Sequence, residues 1–368
     1  MGESMTQKKK KISFRLILSI ATFVLIAVVL WNAREEVFKA VDYLANTNIL
    51  IILLLIPEQL FMYFCCGQIF FSYMASRKEA QKIPGKSLMR ISLELNFMNH
   101  AVPSGGVSGL GYVAWRLKPY GASPAQASFM YVLRYAVTTF ANQAQTLIAI
   151  VMLLVMGAVT PEHQYMLWIV GTISVAVIGM VIGGSLIASN KKALDWVSKK
   201  VVAIVNGVVR AATFGKKKEA LKQEVVDKFC AEIHGDFAEA RRNRKVIKKP
   251  VFWGILYSFL EVATYWIVAM SMGHPELLPQ IMVAEAVGSV LGAVIPTPGG
   301  AGGYEASMAG VMWALGVDFG LATAVVVTTR VIVLVGTIVS GYGFYQHAIA
   351  KLGKEDKAEI AEMNKRGL

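Results

Sequence analysis

The sequence predicts an all-α polytopic membrane protein, with about six full transmembrane helices and two re-entrant helical hairpins related as an inverted repeat. Three observations carry this expectation. Of 368 residues, 55% are hydrophobic and the mean hydropathy is +0.52, in runs long enough to cross a bilayer. Two Pro/Gly-rich segments interrupt such runs: Pro103-Ser104-Gly105-Gly106, and Pro296-Thr297-Pro298-Gly299-Gly300-Ala301-Gly302-Gly303-Tyr304-Glu305. Each has a glutamate upstream, Glu94 or Glu285, and an arginine downstream, Arg134 or Arg330. The basic residues, finally, cluster in a few loops, as they do on the cytoplasmic side of a membrane. That clustering, within so apolar a chain, argues against nucleic acid as the reason for the net charge of +13.

Taken in order, residues 1–13 form a basic cytoplasmic N-terminus, with Lys8 to Lys11 ahead of an apolar run from Phe14 to Trp31. That run resembles the core of a signal peptide, but Asn32-Ala33-Arg34-Glu35 offers no small-residue cleavage site, so it reads as a retained first helix. The first membrane half spans 14–188. Its second run, Ile49 to Ala75, is interrupted at Pro57-Glu58 and returns to a basic loop. Residues 87–118 then form the first hairpin. The arm from Ser87 to Val102 would rise only about 24 Å, short of a hydrocarbon core of roughly 30 Å. If it crossed, the 189–250 loop with its sixteen Lys and Arg would fall outside. Entering and leaving on the cytoplasmic side keeps that loop inside. The runs Ala125 to Met156 and Tyr165 to Ala188 complete the half.

The 189–250 loop carries an amphipathic stripe, Leu221, Val225, Phe229, Ile233 and Phe237, and an earlier stretch, Trp196 to Phe214, that mixes Val and Ile with Lys199, Lys200 and Arg210. It reads as a helical hairpin joining two halves, with contact to anionic lipid as its functional alternative. The second half, 251–346, repeats the first: a run from Val251 to Met272 with Glu261, a hairpin over 280–316 entering from outside, and a run from Phe319 to Tyr345 with Arg330. A basic tail, 347–368, follows. All Lys and Arg but Arg34, Lys39, Arg134 and Arg330 then lie on the cytoplasmic side, with both termini.

Hairpins that enter from opposite faces make an inverted repeat, the plan of transporters whose broken helices meet near the midplane. Prolines and glycines at that depth free backbone groups, which survive only where they line a cavity. A charge there costs about 2.5–3.5 kcal/mol on insertion scales, so Glu58, Glu94, Arg134, Glu261, Glu285, Glu305 and Arg330 need partners or a polar path. Pairing of each arginine with a glutamate to pin a hairpin is the structural reading; lining a headgroup path is the functional one. Asn96, Asn99, His100, Asn142, Gln143 and Gln145 would add polar lining. His100 alone reads as a hydrogen-bonding residue rather than a ligand. The three cysteines, Cys65, Cys66 and Cys230, have neither metal-ligand nor disulfide spacing, and no phosphate-binding loop, cofactor motif or catalytic triad is evident.

The two hairpin motifs, with Arg134 and Arg330 downstream, resemble the membrane domain of the lysylphosphatidylglycerol synthase/flippase family, over about Phe14 to Tyr345. The resemblance implies a domain that moves phospholipid, in full-length members aminoacylated phosphatidylglycerol, between leaflets of the cytoplasmic membrane, an exposure that protects against cationic antimicrobial peptides. The residues expected to serve it are the seven charged groups above and the hairpin-loop residues Pro103, Gly105, Gly106, Pro296, Pro298, Gly299, Gly300, Gly302, Gly303 and Tyr304. Neither the tail nor the 189–250 loop offers room for the family's acyltransferase domain, so the expectation is a flippase-like protein without metal or cofactor. Phosphatidylglycerol lysyltransferase activity and small-solute transport are the alternatives. A second copy or a separate synthase chain is the protein partner to look for.

Overall fold

The computed structural model describes residue 38 and residues 41–45, 47–76, 84–101, 107–157, 164–212, 222–294 and 302–365. These form twelve α-helices and, among the described residues, no strand. They are α1 (Ile49–Ile52), α2 (Leu55–Met74), α3 (Gly85–Ala101), α4 (Val107–Leu117), α5 (Pro124–Val155), α6 (Gln164–Ser189), α7 (Lys191–Ala212), α8 (Gln223–Arg242), α9 (Lys245–Ser271), α10 (Leu278–Val294), α11 (Gly303–Ala314) and α12 (Phe319–Lys365). Five stretches are long and apolar enough to cross a membrane: Ile49–Met74, Pro124–Val155, Gln164–Ser189, Lys245–Ser271 and Phe319–Ala350. The expected first helix, Phe14 to Trp31, lies outside the described residues.

Local chemistry sets several helix ends. Pro57 stands in the first turn of α2, where its missing N–H costs nothing, while its ring disfavours a helical carbonyl four residues earlier at Leu53. The chain accordingly turns at Leu53 and Leu54, between α1 and α2. Ser123 begins α5 with a capping box: its hydroxyl accepts from the Gln126 N–H, the Gln126 side chain accepts from the Ser123 N–H, and Pro124 follows at the first helical position.

The helical pairs repeat. α3 and α4 form one hairpin, with arms of 17 and 11 residues; α10 and α11 form the other, with arms of 17 and 12. Arms of these lengths rise only about 25 and 17 Å, less than the hydrocarbon thickness. Each hairpin packs against the long helices that flank it in sequence. Each also packs on the other half: α3 lies along α12, and α10 lies along α5. Interchanging the halves therefore maps each of these contacts onto another. At the centre α2 and α9 run antiparallel, since Gln59 bonds Thr264 at 3.0 Å near one end and Phe64 meets the Trp253 ring edge-on at 5.7 Å further along. Equivalent helices that pack antiparallel are what an inverted repeat requires.

Small residues set the closest approaches, as expected where lipid supplies no hydrophobic drive between helices. At Gly341 of α12 an added Cβ would lie 2.6 Å from the Phe97 Cβ of α3, and at Gly67 of α2 it would lie 2.7 Å from the Leu88 Cβ. Large buried side chains fill the remaining space: Ile69, Phe97, Phe129 and Met130 around the first hairpin, and Ile281, Met308 and Met312 around the second. α6 is the least covered span, with Trp168, Val175 and Met180 largely exposed. α7 and α8 form the connecting helical hairpin. Of the expected stripe, Phe229, Ile233 and Phe237 are half-buried, Val225 is exposed, and Leu221 is outside the described residues. α8 is fastened to the membrane helices where Tyr73 donates to Asp236 at 3.1 Å and Phe237 meets Phe129 edge-on at 4.9 Å.

Candidate functional site

Glu94 sits at the middle of α3 with none of its surface exposed. Its carboxylate accepts from Arg90 Nε at 2.8 Å, Arg116 Nε at 2.8 Å and the Tyr112 hydroxyl at 2.6 Å. The first bond lies within α3; the other two reach α4, so one carboxylate holds the first hairpin closed. Arg90 also donates from Nη2 to the Phe344 carbonyl at 3.2 Å and stacks on that ring, which adds α12 to the cluster. A buried charge with three donors is well satisfied. Sequence reasoning did not single out Tyr112, and it counted Arg90 and Arg116 only among the basic residues of the cytoplasmic side. The spacing of Arg90 and Glu94, one helical turn apart, was the available signal.

The second hairpin is held differently. Glu305 bonds Arg330 Nε at 2.7 Å through Oε1 and accepts the Gly302 N–H at 2.7 Å through Oε2. It therefore caps α11 and ties that helix to α12 at once. Gly302 has φ of 86°, a conformation that glycine adopts without strain. The Arg330 guanidinium lies 4.6 Å from the centre of the Tyr304 ring, which stacks on Tyr265 of α9. Gly292 makes room for that tyrosine on α10, because a Cβ there would lie 2.9 Å from Tyr304 Cδ2. Glu285, the residue that matches Glu94 in the sequence, makes no such cluster. It is buried, and its Oε2 has no hydrogen-bond partner among the described residues.

Between the hairpins, α2, α5 and α9 bring further charges together. Glu58 accepts from Gln59 Nε2 at 3.0 Å and Thr264 Oγ1 at 3.2 Å. Arg134 donates from Nη2 to the Tyr257 hydroxyl at 3.0 Å and lies between the rings of Tyr135 and Tyr257. Arg134 Nε and Nη1 are buried without a hydrogen-bond partner among the described residues. Pairing of an arginine with a carboxylate thus occurs at Arg330, through Glu305, whereas the hydrogen bond of Arg134 goes to a phenol. Of the polar lining, Gln145 bonds Ser258, which bonds Asn142, deep between α5 and α9. Gln143 is buried. Asn96 donates to Tyr63 at 2.9 Å and Thr337 at 3.2 Å, linking α3, α2 and α12. Asn99 lies beside the Tyr131 hydroxyl.

His100, at the end of α3, bonds the Asn96 carbonyl at 2.9 Å and lies within electrostatic reach of Arg330 and Glu305. The tip of one hairpin therefore comes close to the ion pair at the tip of the other. Of the loop residues named from the sequence, Gly302, Gly303 and Tyr304 are described. Pro103, Gly105, Gly106, Pro296, Pro298, Gly299 and Gly300 lie outside the described residues. No group of three or more His, Cys, Asp or Glu among the described residues is placed to hold a metal ion.

A groove of about 590 Å³ runs beside this centre, between α2, α3 and α12. Its walls are apolar: Leu55, Ile56, Leu60, Met89, Leu93, Ile332 and Val333. Ile56 and Leu60 are exposed at its rim, so it opens sideways toward the apolar surroundings. Tyr63, Thr337 and Gln59 are its polar floor, and Lys86 and Arg90 are its basic end. Through the Gln59–Glu58 bond the floor adjoins Glu58. From Ile332 to Phe344 the groove follows α12 for about 18 Å, roughly the depth of one leaflet's hydrocarbon.

Fold and site together define a multi-pass membrane protein with two short helical hairpins and charged side chains buried or half-buried among its helices. The chain belongs to the family described as lysylphosphatidylglycerol synthase TM region, whose model matches residues 14–341. No curated protein matches it. The family assigns the chain to membrane-lipid biochemistry.

Proposed function

We propose that the protein moves a phospholipid between the leaflets of the cytoplasmic membrane, with both termini in the cytoplasm, and that aminoacylated phosphatidylglycerol or another lipid-linked headgroup is its cargo. The observation that carries this reading is the lateral groove: apolar walls that suit an acyl chain, polar side chains at Gln59, Tyr63 and Thr337, and Lys86 at one end to suit a phosphate. A small-solute path would be closed to the lipid side, whereas this one is rimmed by exposed Ile56 and Leu60. In the proposed route the headgroup leaves the floor at Gln59 and Tyr63 and passes the centre formed by Glu58, Glu261, Glu285, Arg134 and Arg330. Arg330 and Glu285, whose Oε2 has no partner among the described residues, would receive it there, which lowers the cost of a charged group at that depth. Glu94 holds the first hairpin closed, and Glu305 ties the second to α12.

The test is lipid movement in proteoliposomes carrying fluorescent phosphatidylglycerol or its lysyl form, read by chemical quenching of the outer leaflet. Movement above protein-free vesicles is expected. None across several lipid classes would end the reading. The family description also names a synthase. Lysyl-lipid formed by this chain alone from charged tRNA and phosphatidylglycerol would favour that second reading.

A further inference from the structure

α6 is a transmembrane stretch that ends at Ser189, and α7 begins two residues later at Lys191. The start of α7 is therefore held at the membrane boundary. Its composition keeps it from continuing as a span, since Lys191, Lys192, Asp195, Lys199, Lys200 and Arg210 are spread along it. One side is occupied: Ser198 and Val202 are buried, and the Ser198 hydroxyl donates to Asp227 of α8 at 2.7 Å. The other side has no partner among the described residues. Trp196 and Ile204 are each 63% exposed and Val201 is 42% exposed. At 100° per residue these three fall within one broad stripe, and Lys192 and Lys199 flank it. Lys200 rises from the stripe itself and lies 5.8 Å over the Trp196 ring, an arrangement that leaves its ammonium at the polar edge of the apolar face.

We propose that α7 lies in the headgroup layer of the leaflet at which α6 emerges and there binds anionic phospholipid. Trp196, Val201 and Ile204 enter the acyl region, and Lys192, Lys199 and Lys200 contact lipid phosphates. Two observations favour a bilayer over a protein as the occupant. The apolar stripe continues the exposed surface of α6, where Leu186 and Ile187 are also uncovered, so it joins a surface already in lipid. Its charges are also cationic and its aromatic residue is tryptophan, the side chain enriched at membrane interfaces. The inference rests on the multi-pass membrane location and not on lipid transport.

The test uses the full chain in vesicles of phosphatidylcholine, with or without phosphatidylglycerol. A nitroxide is attached at Ile204→Cys or, as a control on the other edge of the helix, at Asp195→Cys; the native Cys65, Cys66 and Cys230 are buried. Relaxation by dissolved oxygen and by a water-soluble nickel chelate reports depth. At position 204 oxygen should dominate, several-fold more so when phosphatidylglycerol is present, and at 195 the chelate should dominate. Replacing Lys192, Lys199 and Lys200 together by Gln should remove the dependence on phosphatidylglycerol. Equal chelate access at both positions overturns the proposal. So does shielding of 204 from both reagents, which would mean that protein covers the face. A depth indifferent to phosphatidylglycerol, or to the three substitutions, overturns the anionic-lipid part. Because no readout involves transport, failure here is distinguishable from failure of the flippase reading.

Discussion

Two glutamates at matched places in the repeat have opposite surroundings, and this separates support from activity. Glu94 has three donors, so Glu94→Gln leaves Arg90 and Arg116 short of a countercharge at a buried site. Breaking a buried pair in this way costs about 3–5 kcal/mol, and thermal unfolding in detergent should show a correspondingly large loss. Glu285 has an oxygen with no donor, a situation that itself costs stability. Glu285→Gln should therefore leave the unfolding temperature unchanged or raise it while slowing lipid movement. If it destabilised as much as Glu94→Gln, Glu285 would be structural. Arg330→Ala and Glu285→Ala should both impair transport more than Glu276→Ala. Glu276 lies in the turn before α10, bonded at 2.9 Å to His274, and that contact holds its carboxyl below the usual range. Equal activity of the three variants at equal expression would remove the proposed centre. The sequence marked Glu94 and Glu285 as costly in lipid. The partners of Glu94 and Arg134 were not legible, because Tyr112, Arg116 and Tyr257 stand 18 or more positions away.

Between elements, the walls of the groove depend on how closely α3 and α12 approach. At Gly341 a Cβ already meets Phe97, so Gly341→Leu should force the helices apart. Overpacking of this kind typically costs about 1–3 kcal/mol, and here it should also alter lipid movement, measured in the same proteoliposomes. The α7–α8 junction responds to pH instead. Hydrogen bonds from Ser198 and Gln223 hold the Asp227 carboxyl below its ordinary value. Their stabilisation is thus present above the unfolded aspartate value, near about 4, and is lost as pH falls through the lower folded value. Amide protection in α7 and α8, taken relative to the intrinsic exchange rate at each pH, should fall over that acidic interval, and Asp227→Asn should flatten the dependence. Helix positions were readable from apolar runs, Pro57 and the Ser123 cap. The contact surfaces were not, because a glycine that permits close packing looks the same in a sequence as one in a turn.

For the whole molecule, amino-acid order alone determined much: an all-helical membrane chain, long spans separated by basic loops, and two interrupted hairpins in matching halves. These follow from local quantities, the length of an apolar run against bilayer thickness, the placement of Lys and Arg, and the helix-breaking geometry of Pro and Gly. Only the tertiary structure decided that α2 and α9 pack antiparallel at the centre, and that each hairpin leans on the opposite half. It alone placed His100 within electrostatic reach of Arg330 and Glu305, and opened a groove between α2, α3 and α12. The physical reason is that a buried charge is satisfied by whichever donor the fold brings within about 3 Å. The sequence records which charges must be satisfied, whereas the packing of helices far apart in the chain selects the partner.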